Sequence, residues 1–144
     1  MISADQLIAH AVGDYLLQSD WMANEKTKRS VAAAAHAVTY ALPFLFLSPS
    51  PEALAVIVVT HFAIDRWRLA RFVVWAKNFL APRGHEVGAL ANGRKFYEWH
   101  RPWVECSATG YPQARPAWLA VWLLIIADNV LHVLINAAAL RWLP

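Results

Sequence analysis

From Ala117 to Ala127 the chain is apolar without interruption, and beyond Asp128 and His132 the apolar pattern carries on to about Trp142. At 1.5 Å of rise per residue, a helix over 116–142 reaches about 40 Å, longer than the roughly 30 Å hydrocarbon core of a bilayer. Composition points the same way. Of 144 residues, 58% are hydrophobic and only 16% charged, too oily a balance for a soluble domain of this length. The expected fold class is all-α: a polytopic membrane four-helix bundle, one membrane domain over residues 1–144, with an interfacial helical extension and a long loop before the last helix.

Three further helices are expected ahead of that segment. The first covers about 4–23, opened by Ser3 and Gln6 in capping-box spacing. Its polar residues Gln6, His10, Asp14 and Gln18 recur every fourth position and so share one face. The second covers 31–47, apolar apart chiefly from His36, and is stopped by Ser48-Pro49-Ser50-Pro51. The third covers 51–80, with Ser50 as cap, Pro51 in the first position and Glu52 in the first turn. Beyond Asp65 it turns amphipathic, with Arg66, Arg68, Arg71 and Lys77 among Trp67, Phe72 and Trp75, as a helix emerging into the interface does. Residues 81–115 are expected to be a cytoplasmic loop.

Basic residues set the orientation. Lys26, Lys28 and Arg29 follow the first helix, and Arg66, Arg68, Arg71, Lys77, Arg83, Arg94, Lys95, Arg101 and Arg115 lie between the third and fourth, whereas Ser48 to Glu52 carries none. Both basic regions should face the cytoplasm of a bacterial inner membrane, leaving both termini outside. Met1 to Glu25 holds no lysine or arginine, which argues against a cleaved leader. Cys106, the single cysteine, excludes an internal disulfide.

Ionisable residues stand where a membrane helix should have none. The pairs His10/Asp14, His61/Asp65 and Asp128/His132 are each four positions apart, and the second helix adds His36. A spacing of four puts both side chains on one face, one turn apart. An aspartate at bilayer depth costs roughly 2.5–3.5 kcal/mol on insertion scales, so something must compensate it. One or two divalent ions would do so, with zinc first and manganese or iron also suited to the mixed nitrogen and oxygen donors. The candidate ligands are thus His10, Asp14, His36, His61, Asp65, Asp128 and His132. For any one of them the plainer account is packing or hydrogen bonding; for His36, a bond to a carbonyl, Thr39 or Tyr40. Gln18 and Asn136 extend the polar stripes and read as hydrogen-bonding partners.

The opening His10-Ala-Val-Gly-Asp14-Tyr-Leu-Leu-Gln18-Ser-Asp-Trp21, His36, His61-Phe-Ala-Ile-Asp65 and Asp128-Asn-Val-Leu-His132 resemble a family of small bacterial and phage membrane proteins of unknown function. That family is in turn distantly similar to proteins catalogued as membrane-bound metal-dependent hydrolases. The resemblance implies a metal cluster more firmly than a reaction.

As an enzyme, such a chain would carry out metal-assisted hydrolysis, with Asp14, Asp65 and Asp128 as candidate catalytic carboxylates and the ions acidifying water and polarising a phosphoryl or carbonyl oxygen. The substrate would be amphiphilic, a lipid phosphate or ester. Arg66, Arg68 and Arg71 could receive its anionic head group, although topology alone accounts for them. No His-Glu-x-x-His, Gly-x-Ser-x-Gly or phosphate-cradling glycine loop is present. No nucleic-acid partner is expected, and self-association is. The rival reading is non-enzymatic: a structural metal site or polar packing network in a protein that works through a membrane partner, phage-encoded or not, or else an ion or proton pathway.

Overall fold

The computed structural model describes residues 2–47, 49–81, 86–89, 91–93, 95–97 and 102–143. Arg83, Arg94 and Arg101, assigned above to the cytoplasmic side, and the loop histidines His85 and His100 lie outside the described residues. The described chain is mostly helical, as expected, with α1 Ala4–Ala11, α2 Asp20–Glu25, α3 Ser30–Ala41, α4 Pro51–Trp67, α5 Ala70–Lys77, α6 Trp103–Cys106 and α7 Ala117–Trp142. Two segments are long and apolar enough to cross a membrane, Ser30–Leu47 and Ala117–Trp142. The chain divides into two compact units, residues 1–69 with 130–144, and residues 70–129.

In the first unit the expected helix 4–23 is not continuous. α1 runs into a π-helical turn over Val12–Leu16, where Leu17 N–H reaches back to Val12 O. The chain then straightens at Ser19, whose hydroxyl caps α2 by accepting from Met22 N–H. Polar capping at a serine wins over continuation of a helix with no strong apolar run to hold it. At the start, Ser3 accepts from Gln6 N–H, but Gln6 does not close the capping box. Its amide donates to Val133 O at 2.8 Å instead, tying α1 to α7.

α3 passes into a tighter 3-10 turn over Leu42–Leu47, which contains Pro43. α4 starts as the sequence requires, with Ser50 Oγ accepting from Ala53 N–H and Pro51 in the first turn. It does not continue to residue 80. Arg68 adopts a left-handed conformation (φ 53°, ψ 49°) and Leu69 N–H returns to Ile64 O, a helix stop normally made by glycine and costing about 1 kcal/mol at a residue with a Cβ. Ser50 Oγ donates to Leu143 O while His132 lies beside Asp65, so the last turns of α7 run antiparallel to α4. A core of Ala9, Tyr40, Ala41, Phe44, Ala53, Ile57 and Ala139 fills the space between these helices.

The second unit holds α5, a 3-10 turn Asn78–Leu80, α6 and the first part of α7. Within the expected loop 81–115 lies an antiparallel hairpin, β1 Glu86–Ala89 with β2 Lys95–Tyr97. Val74, Tyr111 and Ala120 form its core with Leu123, Leu124 and Ala127. Gly110, at φ 83°, lets the chain pass against Val74 and the backbone of Arg71, where no Cβ would fit.

The closest approach in the first unit is at Gly13, where a Cβ would meet Tyr40 O at 2.6 Å and the Tyr40 ring at 2.8 Å. Backbone cannot yield as a flexible side-chain end does, so Gly13→Ala should destabilise the fold by about 1–3 kcal/mol. Thermal unfolding of purified protein would show this as a lower midpoint, and an unchanged midpoint would contradict the packing described.

Candidate metal centre

Four helical segments deliver polar side chains to one buried point in the first unit. The π-helical turn contributes Asp14, α3 contributes His36, and α4 contributes His61 and Asp65 on successive turns of one face. α7 brings His132 alongside. All five are buried. One ligand atom from each of Asp14, His36, His61 and Asp65 falls within 4.8 Å of the others.

The separations within this group are informative. His36 Nε2 lies 3.2 Å from Asp14 Oδ1 and 3.3 Å from Asp65 Oδ2, and His61 Nε2 lies 3.6 Å and 3.2 Å from the same two atoms. Four donors at about 2.0–2.2 Å from a tetrahedral ion are spaced roughly 3.3–3.6 Å apart. The four carboxylate–imidazole contacts, 3.2 to 3.6 Å, lie close to that spacing. They serve hydrogen bonding less well: neither ring nitrogen of His61 makes a hydrogen bond among the described residues, nor does Nδ1 of His36, although these atoms are shielded from solvent. Buried polar atoms without partners cost about 1–3 kcal/mol each, a cost that coordination would remove for the inward-facing nitrogen of His61. His132 Nε2 faces the other carboxylate oxygen, 3.6 Å from Asp65 Oδ1.

Two candidate ligands are placed differently. His10 remains 3.7 Å from Asp14 Oδ2, but its Nδ1 is 2.7 Å from the hydroxyl of Tyr40. Asp128 stands one turn before His132 on α7, half-buried and in the second unit. Of the alternatives for His36, Thr39 turns elsewhere: its hydroxyl donates to the backbone carbonyls of Ala35 and His36.

Tyr40 is the residue that sequence reasoning undervalued. It is fully buried, stacks on His61 with ring centroids 3.6 Å apart, and accepts a 2.6 Å bond from Asn136 Nδ2. The same hydroxyl is hydrogen-bonded to His10 Nδ1 at 2.7 Å, so it bridges Asn136 and His10. A neutral chain from α7 through α3 to α1 thereby fixes the His61 ring plane. Lys26 was also missed. Its ammonium is 2.9 Å from Asp65 Oδ2 and 3.3 Å from His36 Nε2, although its neighbours in sequence suggested only a charged turn. Arg66 and Arg71 are engaged within the fold. Arg66 donates to Thr27 O and Ser30 Oγ, and Arg71 donates to Ser107 O while lying over the Phe72 and Trp103 rings.

A family of proteins of unknown function, DUF3307, matches residues 2–85, over half the chain. The chain belongs to this family. The DUF3307 match takes in α1 to α5, and with them Asp14, Lys26, His36, Tyr40, His61 and Asp65, and it ends before Asp128 and His132. No curated protein and no solved structure matches the chain.

Removing the Tyr40 hydroxyl isolates the role of the neutral chain. Tyr40→Phe deprives the buried Asn136 amide of its acceptor and should cost about 1–3 kcal/mol of stability. A thermal midpoint equal to that of the native protein would show that the bond carries no weight.

Proposed function

We propose that this chain is a membrane-embedded protein that binds a divalent metal ion through Asp14, His36, His61 and Asp65. The observation that carries the reading is the close approach of two carboxylate oxygens and two imidazole nitrogens inside the helices, all within 4.8 Å of one another. Two buried carboxylates so close together repel one another and need positive charge between them. Neutral imidazoles do not supply it, and Lys26, 2.9 Å from Asp65 Oδ2, offsets only one of the two charges. The donor set of two oxygens and two nitrogens suits zinc, and suits manganese or iron as well.

The bilayer part of the proposal rests on the outer surfaces. α7 exposes Trp118, Val121, Trp122, Ile125, Ile126, Val130 and Leu134 along its length, a surface that lipid would cover. Trp118 and Trp142, both exposed, stand near its two ends, as interfacial tryptophans do. Lys26, Lys28 and Arg29 share one end of the first unit with Arg66, which donates to Thr27 O, in keeping with a common cytoplasmic face. The linker at the other end, around Ser50 and Leu143, has no basic residue between Ser48 and Glu52, and Arg141 in the last turn of α7 is the one basic residue against this arrangement.

The activity we favour is metal-dependent hydrolysis of an amphiphilic lipid phosphate or ester. A divalent ion held by these groups would acidify a water taken as a further ligand and polarise the scissile oxygen. Asp65 is the residue best placed to link binding and chemistry, because its Oδ2 belongs to the four-donor set while its Oδ1 faces His132. A structural metal site is the second reading, and one observation favours it: four protein donors stand within reach of one ion, the number a closed site uses.

Elemental analysis of detergent-purified protein tests the common claim. Near-stoichiometric metal in the native chain, with affinity reduced roughly a hundredfold in Asp14→Asn and Asp65→Asn, is the expected result; a metal-free, folded native chain after reconstitution would sink it. The bilayer claim has its own test in Ile126→Lys. Within lipid the substitution should cost roughly 2.5–3.5 kcal/mol and reduce membrane-integrated protein. Gain of soluble, monodisperse protein from that variant would point to an aqueous fold instead.

A further inference from the structure

Lys26 occupies a position that the metal reading leaves unexplained. Its ammonium lies against Asp65 Oδ2 and His36 Nε2, two of the four atoms that would hold the ion. A neutral imidazole nitrogen has one lone pair, so His36 Nε2 either accepts from Lys26 or coordinates a metal, and does not do both. Charge leads to the same conclusion. Asp14 and Asp65 together balance one divalent ion, and an ammonium left in contact would add an uncompensated positive charge to a buried site.

The turn that carries Lys26 is built to present it. Lys26 ends α2, with its N–H on Met22 O. Arg66, next in sequence to Asp65, grips the turn through Thr27 O at 2.8 Å and Ser30 Oγ at 3.2 Å. The neighbouring cations Lys28 and Arg29 are turned outward to Glu25 at 3.2 and 3.3 Å, so of the three basic residues here Lys26 alone points inward. Its side chain keeps 19% of its surface exposed, against 4% for Asp65, which gives it a route to solvent by rotation of its own flexible stem.

We propose that Lys26 is an exchangeable cation built into the site: it holds the metal position in the metal-free protein and withdraws to the surface when a divalent ion binds. The proposal rests on the metal-centre reading above. Its consequence is that the metal-free chain has one of its two buried carboxylate charges offset by Lys26, and that metal uptake competes with this internal cation.

Two measurements on detergent-purified, chelator-stripped full-length protein test this. Zn2+ titration should show Lys26→Met binding about tenfold or more tightly than the native chain, because the competitor is gone; equal or weaker binding overturns the proposal. Because that variant could be poorly folded, the native chain is also probed directly, by the rate at which an amine-acetylating reagent modifies Lys26, read by mass spectrometry. Zn2+ should raise that rate severalfold, and an unchanged or lower rate overturns the exchange while leaving metal binding intact. Failure of the native chain to take up Zn2+ at all removes both readings together, with Lys26 then a permanent ion-pair partner.

Discussion

Two carboxylates buried within reach of the same two imidazoles are the constraint on which the first unit depends. Asp14 and Asp65 come from segments far apart in sequence, yet each contacts both His36 and His61. Leaving such a group unpaired away from water costs several kcal/mol, more than most single packing contacts return. The surrounding architecture answers to that requirement. The π-helical turn carries Asp14 inward, Gly13 lets α1 close on the backbone of Tyr40, and the stack of Tyr40 on His61 fixes the ring that faces both carboxylates.

The helical class and the buried His/Asp cluster were legible in the sequence because both follow from local periodicity. His61 and Asp65 share a face as a spacing of four requires, and Ser50-Pro51-Glu52 begins a helix where capping chemistry places one. The same rule overreached at His10. An i,i+4 spacing fixes a face of the helix but not the partner across from it, and Tyr40 takes the His10 nitrogen. The stop at Arg68 carried no glycine or proline to announce it, and the break at Ser19 rests on a single hydroxyl. Lys26 was illegible for a different reason. Charge clustering in Lys26-Thr27-Lys28-Arg29 reads as topology, and only the long-range grip of Arg66 on the turn separates the inward cation from the outward ones.

The centre combines two kinds of polar contact, and they do different work. Around Tyr40 the contacts among His10, Tyr40 and Asn136 are short and can be neutral throughout. Such a chain sets geometry, since every group has a defined donor or acceptor role and no charge has to be moved. Between Asp14, Asp65, His36 and His61 the separations are longer and the donors too few for the acceptors. Among the described residues, the one cation that reaches that part of the network is Lys26, which offsets one of its two carboxylates. A rigid neutral frame around a charge-deficient centre is an arrangement that favours an ion of defined size over a loose counter-ion.

α7 joins the polar centre to the proposed membrane setting. His132 and Asn136 are 2% and 1% exposed, while Val130 and Leu134, two residues before each, are 51% and 53% exposed. In water the outer stripe would be an apolar patch with no cover. In lipid without the inner network, the imidazole and the amide would be polar groups with nothing to satisfy them. Each face is stable only if the other solvent problem is solved at the same time, so the membrane reading and the polar-centre reading support each other through this one helix. The sequence position of the two polar residues, four apart within an apolar run, is the outward sign of that joint requirement.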